Sequence, residues 1–168
     1  MKIIKKNNLE QKLGFKVAEK VNVLGVDTAA IRTGWCNLII ENDTLLADYG
    51  FINNKSENIL LNYNSLIESF QQLTEKKDKV IIEEAFYFRN VKSFQKLSRA
   101  GMIVYQCAYN NKCPDIKFLL ASQARNGIGL KNKKKEIVHQ AFIKKFDIRI
   151  GDGDCIDALI VALNGVKI

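Results

Sequence analysis

The chain has 168 residues, 47% of them hydrophobic and 26% charged, with a net charge of +8 and a pI near 9.3. That length suits one domain with a core large enough to need no disulfide staples. No apolar run reaches the roughly 18 residues of a membrane span, and the lysine-rich start lacks the apolar block of a signal peptide, so an intracellular, cytoplasmic protein is expected.

Met1 to Lys20 is basic and reads either as an amphipathic helix or as a mobile arm, an extension preceding a domain over 21–168. "VNVLGVD" (Val21 to Asp27) reads as a buried strand. A turn through Ala29 and Ala30 leads into "TGWCNLII", and Asn42-Asp43 is a tight hairpin turn before "LLADYGFI". Ile59 to Glu75 has helical apolar spacing through Leu60, Tyr63, Leu66, Ile67, Phe70 and Leu73. Lys79 to Glu83 is the next strand, Val91 to Tyr109 a long second helix, and "DIKFLLA" a fifth strand. A loop through Asn126-Gly127 and Gly129 precedes a lysine-rich helix, Lys133 to Phe146, and "GDGDCIDALIVALNG" is a final helix left at Gly165. A meander followed by strand-helix alternation predicts an α/β fold: a mixed five-stranded sheet, three antiparallel strands plus two parallel, with helices on both faces.

Three acids violate their surroundings. Asp27 and Glu83 end strands that otherwise read as core, and Asp157 lies in a helix apolar almost all round. Asp154, three residues before Asp157, shares its helix face. Buried carboxylates repel one another unless cations answer them. Hard oxygen ligands of this kind suit Mg²⁺ or Mn²⁺, and two such ions could hydrolyse a phosphodiester. Each acid also has a plain reading: Asp27 as a turn cap, Asp154 as a helix N-cap, Glu84 as a solvated neighbour of Glu83. Asp152 is a cap, or the ligand in place of Asp154 if the register shifts by two.

Cys36, Cys107, Cys113 and Cys155 form no Cys-x-x-Cys pair and His139 is the sole histidine, which argues against a zinc cluster, a disulfide framework or a Ser-His-Asp site. Charge is uneven: residues 112–145 carry +7, the first twenty +4 and the remainder −3. Basic flanks around an acidic site fit a polyanion gripped by its backbone, with Lys131, Lys133, Lys134 and Lys135 as candidate contacts; a solvated lysine surface is the plain alternative. Phe86, Tyr87 and Phe88 followed by Arg89 could stack on an unpaired base beside a phosphate contact, although one ring at least should be core.

"VLGVDTAAIRTGW", "IIEEAFYFRNVKSFQKL" and "DCIDALIVAL" resemble, in order and spacing, the RuvC family of Holliday-junction resolvases, which have the ribonuclease-H-like fold. The resemblance covers nearly all of the chain from Val21 to Val166, and its middle motif is the most specific. It implies a metal-dependent endonuclease that resolves Holliday junctions by paired hydrolysis, with Asp27, Glu83, Asp154 and Asp157 as metal-binding catalytic carboxylates and two Mg²⁺ ions per site, Mn²⁺ substituting. It places Phe86 where the family has a base-stacking ring, and Arg125 and Lys135 near its basic DNA-contacting positions. It also implies a homodimer through the second helix, with Phe94, Leu97, Met102 and Tyr105 at the interface, and no nucleotide cofactor. Thr28-Ala29 stands where bacterial members have Pro-Gly, and together with the extension and extra lysines this departure suggests looser specificity that includes forks and three-way branches. The lysine-, asparagine- and isoleucine-rich composition suggests a bacteriophage gene acting in a host cytoplasm. Two other classes compete. "GVDTAAIRTGW" also resembles the phosphate loop of sugar kinases and Hsp70-type phosphotransferases, which need a second such loop and do not explain Asp154 with Asp157; the other is a non-catalytic branched-DNA binding protein.

Overall fold

In the computed structural model, residues 2–29, 32–53, 55–86, 90–131, 134–147 and 150–168 are described, with side chains from residue 7 on. The strands are β1 (Lys2–Lys5), β2 (Val21–Asp27), β3 (Arg32–Glu41), β4 (Thr44–Asn53), β5 (Lys79–Glu83) and β6 (Asp115–Leu119). Among the described residues they form one sheet in the order β1-β4-β3-β2-β5-β6. The meander β2-β3-β4 is antiparallel, and β5 and β6 run parallel to β2. All five expected strands are present in the expected arrangement. Asn42 and Asp43 turn between β3 and β4 with φ of 51° and 59°, the left-handed pair that a two-residue hairpin requires.

The sixth strand is an addition. β1 pairs antiparallel with β4 from Lys2–Ala47 to Lys5–Thr44, satisfying an edge whose backbone groups would otherwise face solvent. The chain continues into α1 (Lys6–Leu13), and Leu9, Leu13 and Val17 are buried in the core. Of the two readings open for the first twenty residues, helix or arm, the structure has a helix preceded by a strand.

The helices α2 (Ile59–Leu73) and α3 (Val91–Asn110) cover one face of the sheet, where Leu66, Phe70, Val104 and Ala108 pack on Leu24, Val26, Val80 and Ile82. The other face carries α1, α4 (Ala121–Gly127), α5 (Lys135–Phe146) and α6 (Gly153–Leu163). Helix α4 occupies part of the span expected to be a loop. Buried Ala124 and a hydrogen bond from Asn164 Nδ2 to the Ala124 carbonyl, 3.0 Å, hold this short turn of helix in place.

Strand alternation decides where the carboxylates point. On β2, Val21 and Val23 belong to the α6 face while Leu24 and Val26 belong to the α2–α3 face, so Gly25 and Asp27 follow the α6 side. On β5, Ile81 faces α6 and Ile82 the opposite way, which puts Glu83 on the α6 side as well. Parallel pairing of Val26 with Ile82 brings the two strand ends together. Two glycines let α6 descend onto this face. A Cβ on Gly25 would lie 2.4 Å from the Ala162 nitrogen and 2.5 Å from the Ala158 oxygen, and one on Gly34 would lie 2.4 Å from the Asp154 carbonyl oxygen. Only residues without side chains permit that approach.

Candidate active site

Asp27 and Asp157 are 7% and 5% exposed, and Glu83 and Asp154 are partly buried beside them. Burial comes first and the Glu83 and Asp157 carboxylates second in holding Asp27 well above the ordinary carboxylate range. Burial and then Asp157 push Glu83 up to about 7, against the pull of Arg125 and Lys135. The four acids named from the sequence are thus one electrostatic unit with more negative charge than its burial tolerates.

Part of that charge is met by cations from α4 and α5. Lys135 Nζ lies 2.7 Å from Asp157 Oδ2 and 3.6 Å from Asp154 Oδ1. Burial opposes the charge of Lys135, but the hydrogen bond and attraction of Asp157, with Asp27 and Asp154 behind it, raise its pKa overall. His139, one helical turn further along α5, places Nε2 3.0 Å from Asp157 Oδ1, and Arg125 approaches the same oxygen at 3.9 Å. Asp157 is therefore gripped from three sides.

The N-terminus of α6 has its own clamp. Asp152, not Asp154, is the N-cap: its Oδ1 accepts from the backbone N–H of Asp154 at 3.0 Å and of Cys155 at 3.3 Å, and its Oδ2 accepts from the Arg32 guanidinium. Against the cost of burial, those donors hold Asp152 below the usual carboxylate range. Both Asp152 oxygens are thus engaged by the cap and by Arg32, while Asp154 Oδ1 faces Lys135. Arg32 Nε also lies 3.6 Å from Asp154 Oδ2, and its guanidinium carbon stands 3.6 Å over the centre of the Phe51 ring.

Arg32 and His139 were not singled out from the sequence. Arg32 lies on the α6 side of β3 with Gly34 and Cys36, a placement visible from the alternation of that strand but without meaning until α6 is laid across it. For His139 the usable signal was its i, i+4 spacing from Lys135. Among the other expected residues, Phe86 is 68% exposed just past Glu83, and Glu84 is exposed. Lys131 and Lys134 are exposed on the approach to α5; Lys135, also exposed, and Arg125 reach Asp157. Arg89, Lys133, Tyr87 and Phe88 lie outside the described residues. On α3, Met102 is 53% exposed and Phe94, Leu97 and Tyr105 are partly covered, Tyr105 stacking on Tyr109 and Phe118.

The comparisons with known proteins agree with this arrangement. A sequence model of the family described as crossover junction endodeoxyribonuclease RuvC matches residues 23–164. The chain belongs to the RuvC family. Its structure is similar to that of Thermus thermophilus RuvC, with a TM-score of 0.71 and 18% identity over 85% of this chain and 92% of that one. T. thermophilus RuvC in complex with Holliday junction substrate aligns with a TM-score of 0.70 and 17% identity, covering 86% and 91%. The yeast mitochondrial Holliday junction resolvase Ydc2 aligns with a TM-score of 0.61 and 14% identity, covering 93% and 83%. No curated protein matches the chain significantly. The fold is the ribonuclease-H-like fold of RuvC, and family membership makes the protein a Holliday-junction-resolving endonuclease, a hydrolase of DNA recombination.

RuvC-family enzymes are divalent-metal-dependent nucleases. The residues here fit such an ion in donor chemistry and in charge: the cluster offers hard carboxylate oxygens, burial and neighbouring carboxylates raise Asp27 and Glu83, and the Lys135 ammonium reaches Asp157 and Asp154 as a resident cation. Among the described residues, no three acids, imidazoles or thiols are close enough to cage an ion unaided. Among them, too, no helix is long and apolar enough to cross a membrane.

Proposed function

We propose that Asp27, Glu83, Asp154 and Asp157 are the catalytic metal ligands of this resolvase, binding two Mg²⁺ ions for which Mn²⁺ substitutes. The observation that carries this reading is the convergence of Asp27, Glu83 and Asp157 on one side of the sheet, where burial first and then neighbouring carboxylates raise Asp27 and Glu83. When bound, the ions supply Lewis acidity for hydrolysis of a phosphodiester.

The protein groups divide the remaining work. Asp27 and Glu83, on rigid strand ends, fix one side of the site, and Asp157, held by Lys135 and His139, fixes the other. Arg32 and Asp152 set the entry of α6 and thereby the position of Asp154. Lys135 and Arg125 lie at hand to balance phosphate charge. Lys131, Lys133 and Lys134 contact the DNA backbone with Arg89, while exposed Phe86 stacks on a base at the opened branch. The enzyme acts as a homodimer through α3, with Phe94, Leu97, Met102 and Tyr105 meeting their symmetry mates so that two sites face two strands and incise as a pair. Residues 21–168 form the nuclease domain and residues 1–20 an extension. Forks and three-way branches are substrates alongside four-way junctions, and the gene belongs to a bacteriophage whose product works in the host cytoplasm.

The test is incubation of the purified protein with labelled four-way, three-way and linear DNA in Mg²⁺, Mn²⁺ or chelator. The expected result is paired cuts in branched DNA with either ion and none in chelator. Cleavage that persists in chelator, or equal cutting of linear DNA, would overturn the reading.

A further inference from the structure

On the α2–α3 side of the sheet, at the same strand ends that carry the carboxylates, lies a cleft of about 380 Å³. Its floor is apolar, formed by Ile59, Leu66 and Ala100, and its rim holds Lys92 and Lys96, one turn apart at the start of α3. Among the described residues neither ammonium has an ion-pair partner, and Glu57 is the one carboxylate lining the cleft, so the site is net positive. Asn90, the N-cap of α3, lines it, as do Glu57 and Ile59 on either side of the α2 N-cap, so both helix N-termini add to that field.

Two observations make this more than a basic surface. The Tyr63 hydroxyl, on the lining, is buried from solvent and has no hydrogen-bond partner among the described residues, a cost that a bound acceptor or donor would remove. The wall at Ala29 is tied to the carboxylate cluster: Ala29 lies two residues beyond Asp27, and between them the Thr28 hydroxyl donates to the Glu83 carbonyl at 3.2 Å. Crevices outside the carboxyl ends of parallel strands are where open α/β sheets take their ligands.

We propose that this cleft receives one unpaired nucleotide of the DNA strand running past the carboxylate cluster. A nucleoside monophosphate unit has the matching chemistry: an anionic phosphate for Lys92 and Lys96, an apolar face for Ile59, Leu66 and Ala100, and polar sugar or base atoms for the Tyr63 hydroxyl. The cleft thereby selects branched DNA, because duplex DNA offers no free nucleotide. This rests on the junction-cutting reading of the neighbouring site.

The experiment uses the full chain in chelator, with a four-way junction carrying 2-aminopurine at nucleotides flanking the cut site, alongside linear duplex. Tyr63→Phe removes only the unpartnered hydroxyl, so it melts at or above the wild-type temperature and reports on binding rather than folding. It is expected to weaken junction binding about threefold and to diminish the 2-aminopurine change, with duplex binding unaltered. Lys92→Ala with Lys96→Ala is expected to weaken junction binding about tenfold and to reduce the salt slope by one to two. If the wild type cuts junctions when Mg²⁺ is supplied, while in chelator both variants bind them with unchanged affinity, slope and fluorescence, the cleft proposal fails and the nuclease reading stands. A wild type that neither binds junctions in chelator nor cuts them in Mg²⁺ overturns both. Deoxyadenosine monophosphate that raises the melting temperature of the wild type, but not of the lysine variant, without competing with the junction assigns the cleft to a free nucleotide and overturns the strand assignment.

Discussion

On one face of the sheet α6 buries every side chain from Cys155 to Leu163, whereas on the other α2 and α3 leave Leu60, Leu61, Met102 and Tyr109 more than half exposed. The first face is closed by contact as tight as backbone on backbone at Gly25 and Gly34. The second has a comparable core beneath it but an apolar exterior and a basic cleft. Chemistry that needs carboxylates fixed in position belongs on the packed face, where rigidity offsets their repulsion. Surfaces that meet other molecules belong on the open one, where exposed apolar area has no other use. The contrast holds only if the packed face serves the acids and the open face does not.

The largest effect that would sharpen this contrast is expected from Asp157→Asn. It keeps the shape of the packed face and removes the charge of a proposed ligand, so cleavage of a four-way junction should fall by about a thousandfold, or about 4 kcal/mol in the barrier, while junction affinity stays within about threefold. Gel-based cleavage and binding titrations on the same preparation check it. Retained nicking would remove Asp157 from the chemistry.

Gly25→Val tests the packing itself. The new side chain must displace the α6 backbone, so a loss of about 3 kcal/mol or more is expected from denaturant unfolding. A similarly sized change at Leu61, exposed on α2, should cost under about 0.5 kcal/mol. Equal losses at the two positions would erase the difference between the faces.

Acid–base titration gives the next effect. Glu83 is raised to about 7 and Asp27 is raised too, so the folded protein without divalent ions binds more protons than the unfolded chain between their ordinary pKa values and those raised ones. Stability therefore falls as pH rises across that window. In chelator, a loss on the order of 2 kcal/mol is expected between pH 4.5 and 7.5, read as a falling melting temperature, and saturating Mg²⁺ should reverse it at the upper end. A melting temperature that rises with pH in chelator would show that burial and neighbouring carboxylates do not raise Asp27 and Glu83.

A smaller effect is expected at Arg32. Arg32→Ala frees Asp152 and Asp154 from their clamp without touching the core under α6, and cleavage should drop about tenfold with junction affinity unchanged. Arg32→Lys should recover part of the rate, because an ammonium restores charge without the planar fork. Unaltered cleavage in Arg32→Ala would show that Asp152 alone sets the helix entry.

The packed face was also the more legible one in the sequence. Asp27 and Glu83 stood out because strands that read as core ended in acids, and Asp157 because it interrupted an apolar helix; each signal is local. β1 was missed because Lys-Ile-Ile-Lys becomes a strand only when the edge of β4, some forty residues away, is there to pair with it. α4 was missed because Asn126-Gly127 has turn chemistry, and tertiary contacts through Ala124 and Asn164 override it. Arg32, His139 and the Tyr63 cleft depend on side chains brought from elements far apart in the chain, and no period along one segment encodes that meeting.

The central claim is that these acids exist to hold divalent ions, and Mn²⁺ binding measured by calorimetry at pH 7.5 without DNA tests it most directly. The wild type should bind Mn²⁺ saturably, and Asp27→Asn combined with Asp157→Asn, still folded by circular dichroism, should bind at least tenfold more weakly. Equal Mn²⁺ affinity and stoichiometry in the two proteins would contradict the account.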